Sequence, residues 1–367
     1  MSARPAGTPS PLPLPLPLPL PMVGRRLRTA AAHAAPALGA LLLAAAGTAS
    51  AQASRCLDTA TLPTPPRAIA MAEAAAAEHA LFGGQALDAE GRMVRAGASE
   101  AEDMFPGRRR ILSSAPWERV LGYWQAVQDA DGRASGLPDQ VRFGALRPAS
   151  RRLLTQALDQ ATAPRLRGLG AGPGQGLEST ELRAASVALD RVAVMDTPWS
   201  AAFVSWLART AGLNAGEFAF SEAHADYAGA AWRAGVAEAA GQDTRSALRA
   251  CDLTTTPPRV GDLACQTRGA GAGLDSFDAL GRVLAERPTG GEAVPMHCDV
   301  VTAVDADGFD AVGGNVLQSV TLRRLAFAPG TRRLDPSYRP DGCAVGADGC
   351  VDRHLSRQPW SLLLQWR

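Results

Sequence analysis

The sequence predicts an α+β fold in which a buried helix packs on an antiparallel sheet. Two observations carry that prediction. Residues 201–208 are apolar on nearly every side of a helix, which is the mark of an element enclosed by others. From residue 259 to the C-terminus the apolar periodicity changes to strand-like runs joined by turn residues, and helices followed by antiparallel strands make an α+β layout.

The elements follow in chain order. The first fifty residues hold no fold: "PLPLPLPLPLP" is an extended low-complexity tract. After it come Met22, the basic "GRRLR" and the apolar "ALGALLLAAAGTASAQA", with small residues in A-x-A spacing. That sequence of features predicts a secretory signal peptide cleaved after Ala51 or Ala53, with Met22 as an alternative start to Met1. No later segment has the ~20 apolar residues of a membrane span. The expectation is therefore an exported protein, periplasmic or extracellular, with no membrane span once the leader is removed. Residues 1–53 are read as leader, 54–180 as an N-terminal helical part with a flexible connector, and 181–367 as the core.

The Ala-rich stretch from Arg67 to Phe82 predicts a helix stopped by Gly83-Gly84. In 115–127, Trp117, Val120, Leu121, Trp124 and Val127 share one helical face and predict a core helix. Residues 129–150 read as loop, "RGLGAGPGQG" at 167–176 as connector, and 182–195 as a helix or helix-to-turn segment. Thr197 is the expected N-cap of the buried helix, with Pro198 at its first position and Gly212 beyond its end. A second helix is expected over 220–235. Strands are expected at 259–266, 297–305, 309–315, 316–327 and 360–366, with Asp307-Gly308 as a hairpin turn.

Composition narrows the chemistry. The formal charge is +1, so no bulk electrostatic case exists for nucleic acid. All 37 basic residues are arginine, which excludes a Walker-type phosphate loop, a Ser–Lys dyad and a Schiff-base lysine. There is no G-x-S-x-G elbow, and the glycines of 167–176 do not fit G-x-G-x-x-G. Cysteine spacing gives no zinc site, and "DADGFD" is not a calcium loop, because its twelfth position is Val316. No metal or organic cofactor is implied. The six cysteines suit disulfides in an exported chain. Cys343 and Cys350 flank a turn-rich loop and are the first candidate pair; Cys265 and Cys298, both in strand-like runs, are the second.

Ser200 lies in the first turn of the buried helix, where free amides and the helix dipole favour negative charge. It is either a nucleophile or an ordinary first-turn serine. His297 opens a strand; 297, 299 and 301 share one face, so Cys298 points away and His297 is free to face the helix. Asn315, at the end of "VGGN", is the candidate to hold the imidazole tautomer, with Asp299 a competitor on the histidine's own face. Gly313-Gly314-Asn315 has the alternative meaning of a simple turn or bulge. His224 and Tyr227, three apart, either line a cleft near Ser200 or belong to a plain helix face.

The ordered motifs "PWSAAFVSWLARTAG", "RVGDLACQ", "HCDVV" and "VGGNV" resemble the papain-like CHAP and NlpC-type cell-wall amidases and peptidases. More closely, the chain from about 65 to 367 resembles the bacterial domain of unknown function 2272. The resemblance implies a papain-like fold, with Ser200 at the cysteine nucleophile's position. It implies His297 as general base, Asn315 as orienting residue and Trp199 as the aromatic beside the nucleophile. It departs from the pattern in having serine for cysteine, and Arg259-Val260 where proline precedes Gly261-Asp262. The implied activity is hydrolysis of peptidoglycan amide bonds. The alternatives are an inactive relative that binds cell-wall peptide or a protein partner, and an esterase or transferase acting on another exported substrate.

Overall fold

The computed structural model describes residues 51–102, 115–127, 197–340 and 354–367, with isolated residues between 156 and 191. The expected loop at 129–150, the connector at 167–176, the segment 182–195, the leader before residue 51 and the pair Cys343 and Cys350 lie wholly or largely outside these residues.

Helix α1 (Pro66–Leu81) begins on a proline, whose missing N–H costs nothing at a helix start. It stops where Gly83 and Gly84 adopt positive φ, as the sequence predicts. Strands β1 (Gln85–Leu87) and β2 (Met93–Arg95) follow, then α2 (Pro116–Gln125). Trp117, Val120, Trp124 and Val127 of the expected stripe are buried in the core, with Leu121 packed at its edge. Helix α3 (Ser200–Thr210) is the predicted buried helix, but it starts two residues later than expected. Thr197 is not its cap and Pro198 is not in it; Trp199 holds the cap position and no side chain caps it. Its end fits expectation: Gly212 has φ 81°, and Leu213 N–H donates to Ala208 O at 3.0 Å, closing a Schellman turn.

Helix α4 (His224–Ala239) starts later than the pattern suggests, because the Ser221 hydroxyl accepts from Ala223 N–H and donates to Asp226, fixing 220–223 as a turn. Strands β3 (Leu248–Asp252), β4 (Leu263–Thr267), β5 (Met296–Val304), β6 (Gly308–Val316), β7 (Ser319–Ala326) and β8 (Trp360–Trp366) complete the sheet, with α5 (Phe277–Glu286) between β4 and β5. The strand expected at 259–266 begins only at Leu263. Gly261 turns the chain with φ 85° where a Cβ would strike the Ala68 carbonyl. Asp262 then accepts from Arg259 and Trp366 N–H groups, tying the turn to the end of β8.

The sheet is eight-stranded in the order β2-β1-β7-β6-β5-β4-β8-β3. Every pairing is antiparallel except β1 with β7, which is parallel, so the antiparallel expectation holds for all but one rung of the order. The molecule is thus a mixed α+β protein. One core lies between the helices and one face of the sheet and includes Met71, Phe203, Cys298, Val300 and Val312. A second covers the other face with Val301, Phe309, Ala311, Leu325 and Trp360. The larger of these, such as Met71, Phe203, Val300 and Leu325, each contribute about 1.5–3 kcal/mol on burial. Tyr123, Trp199 and Phe203 pack ring to ring at 5.1–6.2 Å, binding α2 to the start of α3.

Cys265 and Cys298 face each other across β4 and β5 and form a disulfide, with Cα atoms 4.1 Å apart. A second disulfide, Cys56–Cys251, ties the helical stretch 51–60 to β3. Closing a loop of 195 residues constrains the unfolded chain by about 5 kcal/mol in the entropic model. No helix among the described residues is long and apolar enough to cross a membrane.

Candidate functional site

Ser200 is the first residue of α3 and its Oγ lies 2.7 Å from Nε2 of His224, the first residue of α4. One turn along α4, the Tyr227 hydroxyl bonds to the other ring nitrogen, Nδ1. The result is a continuous Ser200–His224–Tyr227 chain of hydrogen bonds. All three side chains are at most 5% exposed. The sequence left His224 and Tyr227 either lining a cleft near Ser200 or on a plain helix face; the structure puts them beside Ser200 and joins all three.

His297 sits beside this chain, its ring centroid 5.1 Å from that of His224. Its Nε2 is 2.6 Å from Asp299 Oδ1, and Asp299 Oδ2 accepts from Arg323 of β7. The expected bonds Ser200–His297 and His297–Asn315 are absent, and the reason lies in the pleat. Cys298 and Val300 point into the helix-side core and Val301 into the other. Alternation puts His297 and Asp299 on the face opposite Cys298 and Val300, and there the His297 ring meets His224 at the start of α4 rather than Ser200 at the start of α3. Asp299, the competing candidate, is the histidine's partner.

Asn315 does different work. Its Nδ2 donates to Glu100 Oε2 at 2.8 Å, and the same oxygen accepts from Trp199 Nε1 at 2.7 Å. Asn315, Leu317 and Gln318 all have positive φ, so the β6–β7 connection is a tight turn with a bulge before it. Non-glycine residues in that region cost free energy and persist where surroundings hold them. Gln85 Nε2 on the Val316 carbonyl and Glu100 N–H on the Gln318 carbonyl do so. The glycines ahead of Asn315 make room rather than turn. A Cβ on Gly313 would overlap Asp299 Oδ1 and stand 2.8 Å from His297 Nε2. One on Gly314 would stand 2.6 Å from the Trp199 ring and 2.7 Å from Phe203.

The electrostatics separate the two histidines. Burial, with smaller pushes from His297 and Arg268, holds His224 well below the usual histidine range. Burial also lowers His297, against the pull of Asp299. Burial alone would raise the Asp299 carboxyl, but Arg323 and His297 outweigh it and hold it below the usual range. Burial, aided by Asp299 and Asp226, raises the Tyr227 hydroxyl well above its usual range. At neutral pH both imidazoles are neutral, Asp299 is charged and Tyr227 keeps its proton.

Proton counting then fixes one tautomer and leaves the other open. Asp299 is an acceptor only, so His297 donates from Nε2 and presents a bare lone pair at Nδ1, which has no partner. The Ser200–His224–Tyr227 chain holds three protons for two hydrogen bonds. Either Ser200 donates to Nε2 while Nδ1–H donates to Tyr227, or the direction reverses throughout. The first arrangement makes His224 a base toward Ser200. The N-cap side chain of α3 makes no bond to its first amides.

Sequence reasoning missed Glu100 and Arg323. No motif marked Glu100; Arg323 had a usable signal, because it alternates with Leu325 and so points inward from β7. No cluster of three or more His, Cys, Asp or Glu side chains that could hold a metal occurs among the described residues. A cavity of about 290 Å³ lined by Pro65, Arg67, Glu217, Arg245 and Trp366 shares no residue with this cluster.

Comparison with known families gives one match. The family described as "Uncharacterized protein conserved in bacteria (DUF2272)" matches residues 168–366, more than half of the chain. No curated protein and no solved structure matches.

Proposed function

Taking as premise that the chain belongs to the DUF2272 family, we propose that it is an exported acyl-transfer hydrolase of papain-like, CHAP/NlpC-type fold, acting on amide bonds of peptidoglycan. The single observation that carries the reading is the 2.7 Å hydrogen bond between Ser200 Oγ and His224 Nε2 at the tip of a buried helix. A nucleophile and its base must stand within that reach.

In the proposed reaction Ser200 Oγ attacks the acyl carbon and its proton passes to His224 Nε2, while Nδ1–H is held by Tyr227. Amides of the first turn of α3 receive the developing oxyanion. The C–N bond breaks as His224 returns the proton to the leaving nitrogen. Water then attacks the acyl-serine, loses its proton to a neutral imidazole and restores Ser200. Asn315 keeps a positioning role here: through Glu100 it holds the indole of Trp199, the residue before the nucleophile.

A second reading has its own support. The burial of Ser200, His224 and His297 suits a catalytically silent relative that binds cell-wall peptide, because a closed cluster holds its hydrogen bonds without any substrate. Digestion of purified peptidoglycan separates the two. The hydrolase releases new amino groups or stem peptides, and Ser200→Ala and His224→Ala do not. Release that survives both substitutions, or no release by the wild type, removes the hydrolase reading.

A further inference from the structure

Arg268 stands immediately after β4 and extends the β4–β5 ladder by one rung, its N–H donating to the Pro295 carbonyl at 2.9 Å. Gln266 pairs with His297 in register, and Ala264 with Asp299. Alternation therefore puts Arg268, Gln266, His297 and Asp299 on one face. Three charged or polar groups there are already committed. Asp299 is held by His297 and Arg323, and Arg323 by Asp299. Arg268 is not committed among the described residues: it is half-buried, and its guanidinium makes no hydrogen bond or ion pair with any of them. The carboxylate whose charge reaches it, Asp299, is already held by His297 and Arg323.

Arg268 is nonetheless close enough for its charge to be felt at His224, His297 and Tyr227. It is thus a cation with some access to solvent at the border of an otherwise closed cluster. Two further atoms beside it lack partners. Gln266 Oε1 is a buried acceptor without a donor, and His297 Nδ1 is a buried lone pair without one. A half-buried guanidinium without an anion is unfavourable, and a bidentate carboxylate is the ligand its planar fork matches best. A free acceptor two residues away on the same face suits an amide N–H.

We propose that Arg268 is the specificity residue of the Ser200–His224 site, binding a free carboxylate of the substrate, with Gln266 Oε1 accepting from a substrate amide N–H. The substrate class is then a short acylated peptide whose scissile bond is followed by a terminal carboxylate. This inference rests on the acyl-transfer reading for its catalytic half and on Arg268 alone for its binding half.

The test uses two matched depsipeptide esters with the full chain, N-acetyl-alanyl-lactate and N-acetyl-alanyl-lactamide. The wild type is expected to favour the carboxylate by about 10–100-fold in kcat/KM, chiefly through KM, as a charge-assisted pair would give. Arg268→Gln is expected to remove that preference, and Arg268→Lys to keep part of it. Equal kcat/KM for the two esters in the wild type overturns the proposal without any variant. Equal losses on both esters in Arg268→Gln overturn it too. Calorimetry with N-acetyl-alanyl-alanine and its carboxamide runs in parallel. If the wild type cleaves neither ester yet binds only the carboxylate peptide, and Arg268→Gln does not, the hydrolase reading falls and the Arg268 site stands. If the wild type binds neither peptide, the Arg268 site falls.

Discussion

The two histidines of the cluster are 5.1 Å apart and could hardly be held more differently. His224 belongs to a helix start and lies between two hydroxyls, neither charged. His297 belongs to a strand and leads into a carboxylate and a guanidinium. The first arrangement can run its protons in either direction, which is what a base that must take and return a proton requires. The second fixes one tautomer and anchors it in a buried ion pair, which is what a rigid support requires. The comparison teaches that proximity to a charge partner and proximity to a nucleophile have been divided between two residues.

Breaking the His224 side has the largest expected effect. His224→Ala, like Ser200→Ala, is expected to lower kcat by about 10³-fold or more, because nucleophile and base act as a unit. Steady-state hydrolysis of an ester substrate checks this. His297→Gln is expected to cost at least tenfold less in kcat than His224→Ala.

Breaking the His297 side acts next, and on stability. Asp299→Ala leaves Arg323 buried without its partner, at an expected cost of about 3–5 kcal/mol in denaturant unfolding. A loss below about 1 kcal/mol would mean that this ion pair does not support the fold.

Acid sharpens the comparison by a smaller amount. Both imidazoles titrate below their usual value of about 6.5 when folded. Below that pH the unfolded chain binds protons that the folded one refuses. Their contribution is therefore complete above pH about 6.5 and is lost as pH falls, by about 1.4 kcal/mol per unit for each. Asp262 opposes this, because burial pushes its carboxyl up to about 7, so the folded form binds its proton first. The difference between wild type and His224→Gln removes that background. The variant is expected to lose stability less steeply between pH 6.5 and 5.

The smallest effect is expected from Tyr227→Phe. It removes one buried hydrogen bond, worth about 1 kcal/mol, and with it the acceptor for Nδ1–H. A fall of about fivefold in kcat with little change in KM is the expected outcome. No change in kcat would assign Tyr227 to packing alone.

Much of this architecture was legible in the residues. The apolar girdle of 201–208, the glycines at 83–84 and the strand patterns at 297–305 and 360–366 each carry strong local preference, and each formed within two residues of its expected bounds. Strands β1 and β2 are three residues long, too short for a period, and β3 contains Arg249, whose charge is compensated by Glu238 from another element. The candidates Ser200, His224, Tyr227, His297 and Asp299 were all visible by type. Their partnerships were not, because strand alternation says which residues share a face but not which face a helix covers. Cys265 and Cys298 illustrate the converse. Their pairing across the sheet could be anticipated, and it shows that positions 265 and 298 share a face, which is the face of the helix-side core.

The most direct test of the account is mass-mapped labelling by a fluorophosphonate, which needs an activated serine and no known substrate. The account predicts that Ser200 is labelled in the wild type and in His297→Gln, and that labelling is lost in His224→Gln. Labelling that persists in His224→Gln and disappears in His297→Gln would contradict it.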